Sequence, residues 1–503
     1  MARGSERVEP RHLTRARDVE AALRRDPPDV VVVQDLGAPA STSILLRSLG
    51  LAFEDTLFVV FCHGTRQWIT DISGKVRVLP GALGVSLLER TSIQLADAVV
   101  SPSAYLADWM RGQGWQLPAK TFVIPHLSRA GATGEPPPPP VRSNGAGVER
   151  LTFFGRLEER KGVRPFAQAL NALDPVLLRG VAVEFVGRPT PAWPVERVTG
   201  LLNESTRAAV RELTFETGLD QHEAIARLRR PGTLAVIPSY AENSPNTIYE
   251  CLENGIPFLA SSAAGIRELV AADEHERVLF EPTAEGVAAA LRTALANAGA
   301  LRPVRPAYDD ADSLRRWSDV VALHAAEPPA SPLTGGWTLE LEDGDVAEPG
   351  LEATLRRAAA VSGADVVTCG VSVDGTAHFF QGEPRALGLL SNGYGTAALV
   401  RRELSEARGG EPVWPWLAGL AATGARIVSV PLPLVRAAAP PATLESHPED
   451  ALAVLRHLER AAPASARLSG ELALRLAAAA QAPAVPRRSL ARRLVRRLVG
   501  ARA

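Results

Sequence analysis

Cysteine is scarce: three in 503 residues, Cys62, Cys251 and Cys369, far apart and with no C-x-x-C pair. That excludes a disulfide scaffold, argues against a structural zinc site and fits a reducing compartment. Net charge is scarce too. Lys plus Arg number 55 against 56 Asp plus Glu, so no global field attracts nucleic acid or selects an acidic partner. Long apolar runs are missing. Nowhere do eighteen apolar residues follow one another, and the amino terminus has no signal-peptide core, so a cytosolic protein is expected. Lysine is sparse beside abundant Ala, Arg, Gly and Pro, the composition of a GC-rich bacterial genome. A chain of this length has room for about three domains of roughly 150 residues each.

The most informative stretch is PSYAENSPNTIYECLENGIPFLAS, residues 238–261. The apolar run Leu234–Ile237 before it reads as a buried strand of a parallel sheet. Pro238-Ser239 ends that strand, and a loop carries Glu242. A helix is expected from Asn246 and Thr247, both good N-cap types, with Glu250 in its first turns and Gly255-Ile256-Pro257 as its stop. One carboxylate is thereby placed at the carboxyl edge of a sheet and one just inside the following helix. Between them the free N–H groups of the helix start, at Asn246 and Thr247, can hold a phosphate oxygen. This is the arrangement of a nucleotide-sugar site at the crevice of a doubly wound sheet.

A second motif, LTFFGRLEERKGV, occupies residues 151–163. It reads as a short strand, a turn at Gly155, and a helix after Gly162. Arg156 and Lys161 leave the strand end five residues apart and face the same crevice. Two fixed cations there would stabilise a diphosphate leaving group more in the transition state than in the ground state.

In this context the 238–261 stretch resembles the E-x7-E signature of the retaining glycosyltransferases of family 4, which have the two-domain GT-B fold. In that family the first Glu faces the donor sugar and the second holds the ribose hydroxyls. The resemblance puts those roles on Glu242 and Glu250. It likewise gives Arg156 and Lys161, within G-R-L-x-x-x-K-G, to the donor pyrophosphate. Residues 28–68 and 96–106 resemble the family's amino-terminal domain, whose strand-end histidine, facing the donor sugar, corresponds to His63. Taken alone, His63 has a second reading as a loop or capping histidine. The implied donor is a nucleoside diphosphate sugar and the acceptor a glycan or a lipid-linked acceptor. No cofactor or metal is implied at this site, because the two cations take that place.

The chain departs from the family at its start. Only 28 residues precede the strand DVVVVQ, and the usual first βα units and their glycine-rich loop are lacking. A charged, poorly ordered lead is expected there, followed by a half-sheet with an exposed edge and an uncovered apolar face. Another chain (a second copy or a partner glycosyltransferase) or the later domain would have to cover it.

Residues 333–440 resemble the middle of a family 2, GT-A-type glycosyltransferase, without that family's first half. The family's acidic stretch, which holds a divalent metal, falls on Glu342, Asp343 and Asp345. The rival reading, a capped loop of surface carboxylates, is preferred, so Asp343 and Asp345 are weak metal candidates. The tail 487–503 places Leu490, Leu494 and Leu498 on one helical face among the arginines at 487, 488, 492, 493, 496 and 497. Its 487–499 part reads either as a contact for an anionic membrane surface, which would place the protein at the inner face of the cell membrane, or as a helix packed on the preceding domain.

The expected division is an incomplete Rossmann-like acceptor lobe over 1–130, a proline-rich linker over 131–149, a donor lobe over 150–300, a crossing segment over 301–332, a partial GT-A-like α/β region over 333–440 and a helical basic tail over 441–503. The expected fold class is α/β: a GT-B-like pair of Rossmann-like lobes plus the partial third domain. The expected activity is retaining sugar transfer in bacterial polysaccharide or envelope glycan synthesis. The main alternative is a catalytically impaired nucleotide-binding scaffold. A metal-dependent inverting enzyme built on the Asp343 region ranks behind both.

Overall fold

The computed structural model describes residues 7–74, 80–128, 147–297, 301–326, 328–384 and 388–461. The five-proline run and the basic tail lie outside the described residues.

The first lobe is a four-stranded parallel sheet in the order β2-β3-β4-β5, formed by Val30–Gln34, Leu57–Phe61, Ala98–Ser101 and Thr121–Val123. Its central strands are continuous apolar runs, LFVVF and AVVS, as a sheet buried on both faces requires. Its helices are α1 (Thr14–Arg25), α2 (Ser41–Ser48), α3 (Arg66–Ile72), α4 (Pro80–Leu95) and α5 (Ala104–Gly112).

The second lobe is a six-stranded parallel sheet in the order β11-β10-β9-β6-β7-β8. Here β6 is Arg150–Phe154, β7 Ala182–Val186, β8 Glu212–Glu216, β9 Thr233–Ile237, β10 Phe258–Ser261 and β11 Leu279–Phe280. Every residue of β7, β9 and β10 is buried. Strand order reverses at β6, whose neighbours are β7 on one side and β9 on the other. In open α/β sheets such a switch point opens a crevice at the carboxyl ends.

From Arg7 onward the charged lead is not an ill-ordered segment. Arg7–Glu9 forms β1, and α1 turns Val19 and Leu23 onto the core beside β2 residues Val31 and Val33. β1 leaves the first lobe altogether. It pairs in parallel with β15 (Thr376–His378) at the edge of a third sheet. That mixed sheet is centred on β14 (Val366–Val373), with β17 (Ile427–Arg436) parallel on one side and β16 (Ala397–Arg401) and β15 antiparallel on the other. β12 (Trp337–Leu341) extends it beyond β16, and β13 (Val346–Ala347) pairs with β17. Asp374-Gly375, both at positive φ, make the two-residue hairpin joining β14 to β15.

The third domain covers part of the first lobe's gap, packing on α2 rather than continuing the sheet. Leu45, Leu49 and Leu51 share a core with Leu355, Ala358, Val371 and Val430. Arg17 donates to Pro431 O at 3.1 Å and stacks over Phe379. Arg47, buried, donates to Ala326 O at 2.5 Å and to Thr56 O at 3.3 Å, tying the incoming linker to the first lobe. The edge of β2 itself stays open: Val32 is 48 % exposed. The helix Asp310–Val321 crosses back onto the first lobe, where Trp317 and Val320 join Val59, Val100 and Phe61.

Candidate active site

Two glycines bring the strand ends of the second lobe close together. Gly162, at φ +77°, lies against the carbonyl of Pro238, where a Cβ would come within 1.9 Å of the oxygen. Gly187 lies equally close to Gly155 O. Any side chain at either position would part the loops after β6, β7 and β9. The 151–163 and 238–261 motifs, about 80 residues apart, therefore meet at one edge.

That edge opens as a cleft of about 490 Å³. Gly155, Arg156, Asn246, Thr247 and Glu250 all line it, with Gly187 and Gln221. Arg156 is largely exposed, and its guanidinium contacts Glu158 at 3.1 Å. The helix Asn246–Glu253 begins one residue earlier than capping chemistry suggests: Pro245 is the N-cap, offering no side-chain acceptor, and Asn246 is the first helical residue. Thr247 Oγ1 is buried and without a partner. Glu250 accepts from Gln221 Nε2 at 2.6 Å, and burial raises its pKa despite that bond. A cation, an uncapped helix start, an unpaired hydroxyl and a carboxylate thus share one wall, the donor set for a diphosphate and a vicinal diol.

Lys161 and Glu242 are not on that wall. They pair with each other at 2.5 Å, and Arg160 holds the second Glu242 oxygen at 3.0 Å. Glu242 is only 5 % exposed. Burial pushes its pKa up, but the Lys161 and Arg160 charges outweigh burial and hold it below the usual carboxylate range. Arg160, which the sequence presents as one basic residue among several, is thereby part of this cluster.

His63 comes from the other lobe, at the end of β3, and its ring is exposed. Asp35, fully buried, accepts from the N–H groups of His63 and Gly64, both at 3.0 Å, and so fixes the loop that carries it. The His63 ring stacks on His126 with centroids 5.5 Å apart. Burial and the neighbouring His63 lower the His126 pKa to about 4.

Asn243, next to Glu242, joins the lobes. It donates to His63 O at 3.1 Å and accepts from Ser103 Oγ. Ser103 is also the N-cap of α5. Glu268 completes that cap from the second lobe, accepting from Ala104 N at 2.7 Å and Tyr105 N at 2.8 Å. Asp35, Ser103, Gln221 and Asn243 were not legible as site residues. Each works through a partner remote in sequence, and no local pattern marks such a residue.

The acidic stretch of the third domain has structural partners. Asp345 accepts from Thr396 Oγ1 at 3.2 Å and from Ala438 N at 3.0 Å, while Asp343 is exposed. Among the described residues, no three His, Cys, Asp or Glu side chains converge as a metal site, and no helix is long and apolar enough to cross a membrane.

The paired parallel sheets with a crevice at the switch point have the GT-B architecture. Residues 2–126 match the family model described as "Glycosyl transferase 4-like domain", and residues 148–297 match "Glycosyl transferases group 1", so the chain carries both domains of the GT-B pair. No curated protein matches the sequence. Similar solved structures include sucrose-phosphate synthase from Thermosynechococcus elongatus, at 18% identity over 62% of this chain and 77% of that chain, TM-score 0.43. The catalytic domain of starch synthase IV from Arabidopsis thaliana, bound to ADP and acarbose, is 14% identical over 63% of this chain and 73% of that one, TM-score 0.39.

Proposed function

We propose that the protein transfers a sugar from a nucleoside diphosphate sugar to a glycan or lipid-linked acceptor with retention at the anomeric carbon, in bacterial polysaccharide or cell-envelope glycan synthesis. One observation carries this reading: Arg156, the uncapped helix start with Thr247, and Glu250 line a single cleft at the switch point of the second sheet. Arg156 binds the diphosphate and Glu250 the ribose. As the bond from the anomeric carbon to the diphosphate oxygen breaks, charge grows on that oxygen, and Arg156 on the cleft wall offsets it. Glu242 orients the donor sugar, and His63 meets it from the first lobe. Residues 333–440 act as a partial GT-A-like domain whose part here is to complete the first lobe.

A thermal-shift panel of UDP, GDP, ADP and TDP sugars tests the donor site, since a ligand that binds the native state raises apparent stability by mass action. Stabilisation by at least one of them, with product of retained anomeric configuration, supports the reading. No shift with any of them removes it. Transfer should survive EDTA, and its loss under chelation would move the chemistry to the Asp343 region.

A second reading, an impaired enzyme that binds nucleotide and serves a partner glycosyltransferase, is favoured by the Asn243 bonds across the cleft and by Lys161 being occupied with Glu242. Nucleotide binding without turnover on mixed acceptors would select it.

A further inference from the structure

A separate cavity of about 340 Å³ lies at the joint between the first lobe and the third domain. Its walls are α2, α4, the segment after β15 and the start of β17. Leu45, Leu88, Phe379 and Ile427 make it mainly apolar. Polar groups break that surface: the charged Arg90, Arg426 and Glu383 stand at its wall, and Ser41 on α2 and Ser429 on β17 are among its hydroxyls. These two serines are 6 % and 3 % exposed, and neither Oγ has a hydrogen-bond partner. Buried hydroxyls are nearly always bonded. Two orphans on walls contributed by different domains of one cavity ask for a common partner.

The charge of that partner follows from α2. The helix starts after Ala40, whose side chain offers no cap; Ser41 N is bonded to Ala38 O, so the N–H groups of Thr42 and Ser43 and the positive end of the dipole are left for a ligand. The size follows from the volume. An apolar cavity of about 150 Å³ takes one benzene, so this one takes on the order of a dozen carbons.

We propose that the cavity binds an anionic amphiphile. A carboxylate or phosphate head accepts from Ser41, Ser429 and the start of α2, and an aliphatic body lies along Leu45, Leu88, Phe379 and Ile427. The third domain is what closes this site, because Phe379, Ile427 and Ser429 are all its own. That the amphiphile is the apolar end of a sugar acceptor rests on the glycosyltransferase reading. The binding site does not.

Calorimetry on the full chain tests it, with decanoate, decyl phosphate, 1-decanol and inorganic phosphate as probes, all below micelle-forming concentration. Saturable one-to-one binding of decanoate or decyl phosphate is expected, and whichever binds tighter identifies the head group. Decanol should bind about tenfold more weakly, the scale of a hydrogen bond to a charged group. Inorganic phosphate alone should not bind measurably. Ser429→Ala should weaken both anionic probes about tenfold and leave decanol unchanged, while Leu45→Trp, which fills the cavity, should abolish binding of all three chains. Non-saturating uptake, or affinities unchanged in both variants, overturns the proposal. Should Leu45→Trp fail to fold, Ser429→Ala decides alone. Nucleoside diphosphate binding is followed in the same proteins: its absence in the wild type sinks the glycosyltransferase reading without touching this site.

Discussion

Lys161 Nζ lies 2.5 Å from Glu242 Oε1, and Arg160 holds the other carboxylate oxygen at 3.0 Å. This ion cluster joins the two motifs that the sequence sets about 80 residues apart, and its carboxylate is almost wholly buried. Removing one partner of a buried pair leaves an uncompensated charge, which costs far more than the pair contributes. Lys161→Ala should therefore lower unfolding stability by about 2–4 kcal/mol, with Arg160 limiting the loss. Adding Glu242→Gln should recover much of it. Urea unfolding of the two single variants and the double variant gives the coupling energy, and a coupling near zero would mean that the cluster is incidental.

Arg156 behaves differently, because it is exposed on the cleft wall and its contact with Glu158 is a surface pair of small worth. Arg156→Ala should leave stability within about 0.5 kcal/mol and weaken nucleoside diphosphate binding by about 1.5–3 kcal/mol. Calorimetry with the bare nucleotide and a melting curve of the variant separate the two effects. A variant that binds the diphosphate as well as the wild type does removes Arg156 from the site.

The donor lobe was legible because its signals are local. Buried parallel strands read as apolar runs, and Gly155, Gly162 and Gly255 punctuate them where the chain turns. Five expected cleft residues, Gly155, Arg156, Asn246, Thr247 and Glu250, accordingly share one wall. The pairing of Lys161 with Glu242 was not legible, since spacing gives the edge on which a side chain sits but not which partner wins it. The destination of Arg7–Glu9 was hidden for a related reason. A three-residue strand has no periodicity of its own, and its partner, Thr376–His378, lies in the third domain, remote in sequence.

Asn243 links the lobes through Ser103 and His63, and all three groups are withdrawn from solvent except the His63 ring. Asn243→Ala leaves the Ser103 hydroxyl and the His63 carbonyl without that partner, so the lobe interface should weaken by about 1–3 kcal/mol. Amide exchange of the His63–Thr65 loop and of α5 should quicken, while β7 and β8, remote from the interface, should not change. Equal acceleration across the donor lobe would point to general destabilisation instead and remove the linking role.

His126 gives the lobe pair a dependence on pH. Its pKa falls from 6.5 to about 4 because burial disfavours the charged ring, and the stacked His63 adds to the effect. Between those two values the unfolded chain binds a proton at this position and the folded chain does not. Stability must then rise with pH across that window, and it is lost as pH falls below 6.5. By pH 5 the deficit should reach about 2 kcal/mol, and it should level off near pH 4 at about 3 kcal/mol. His126→Gln keeps a polar side chain and removes the titration. Its unfolding free energy should change less between pH 7.5 and pH 5 than that of the wild type, by about 2 kcal/mol. His12 and His378, whose pKa values burial also lowers, are present in both proteins and cancel in the comparison. Parallel pH profiles for the two proteins would show that the His126 ring accepts a proton in the folded state without cost, and that the stack on His63 does not exclude one.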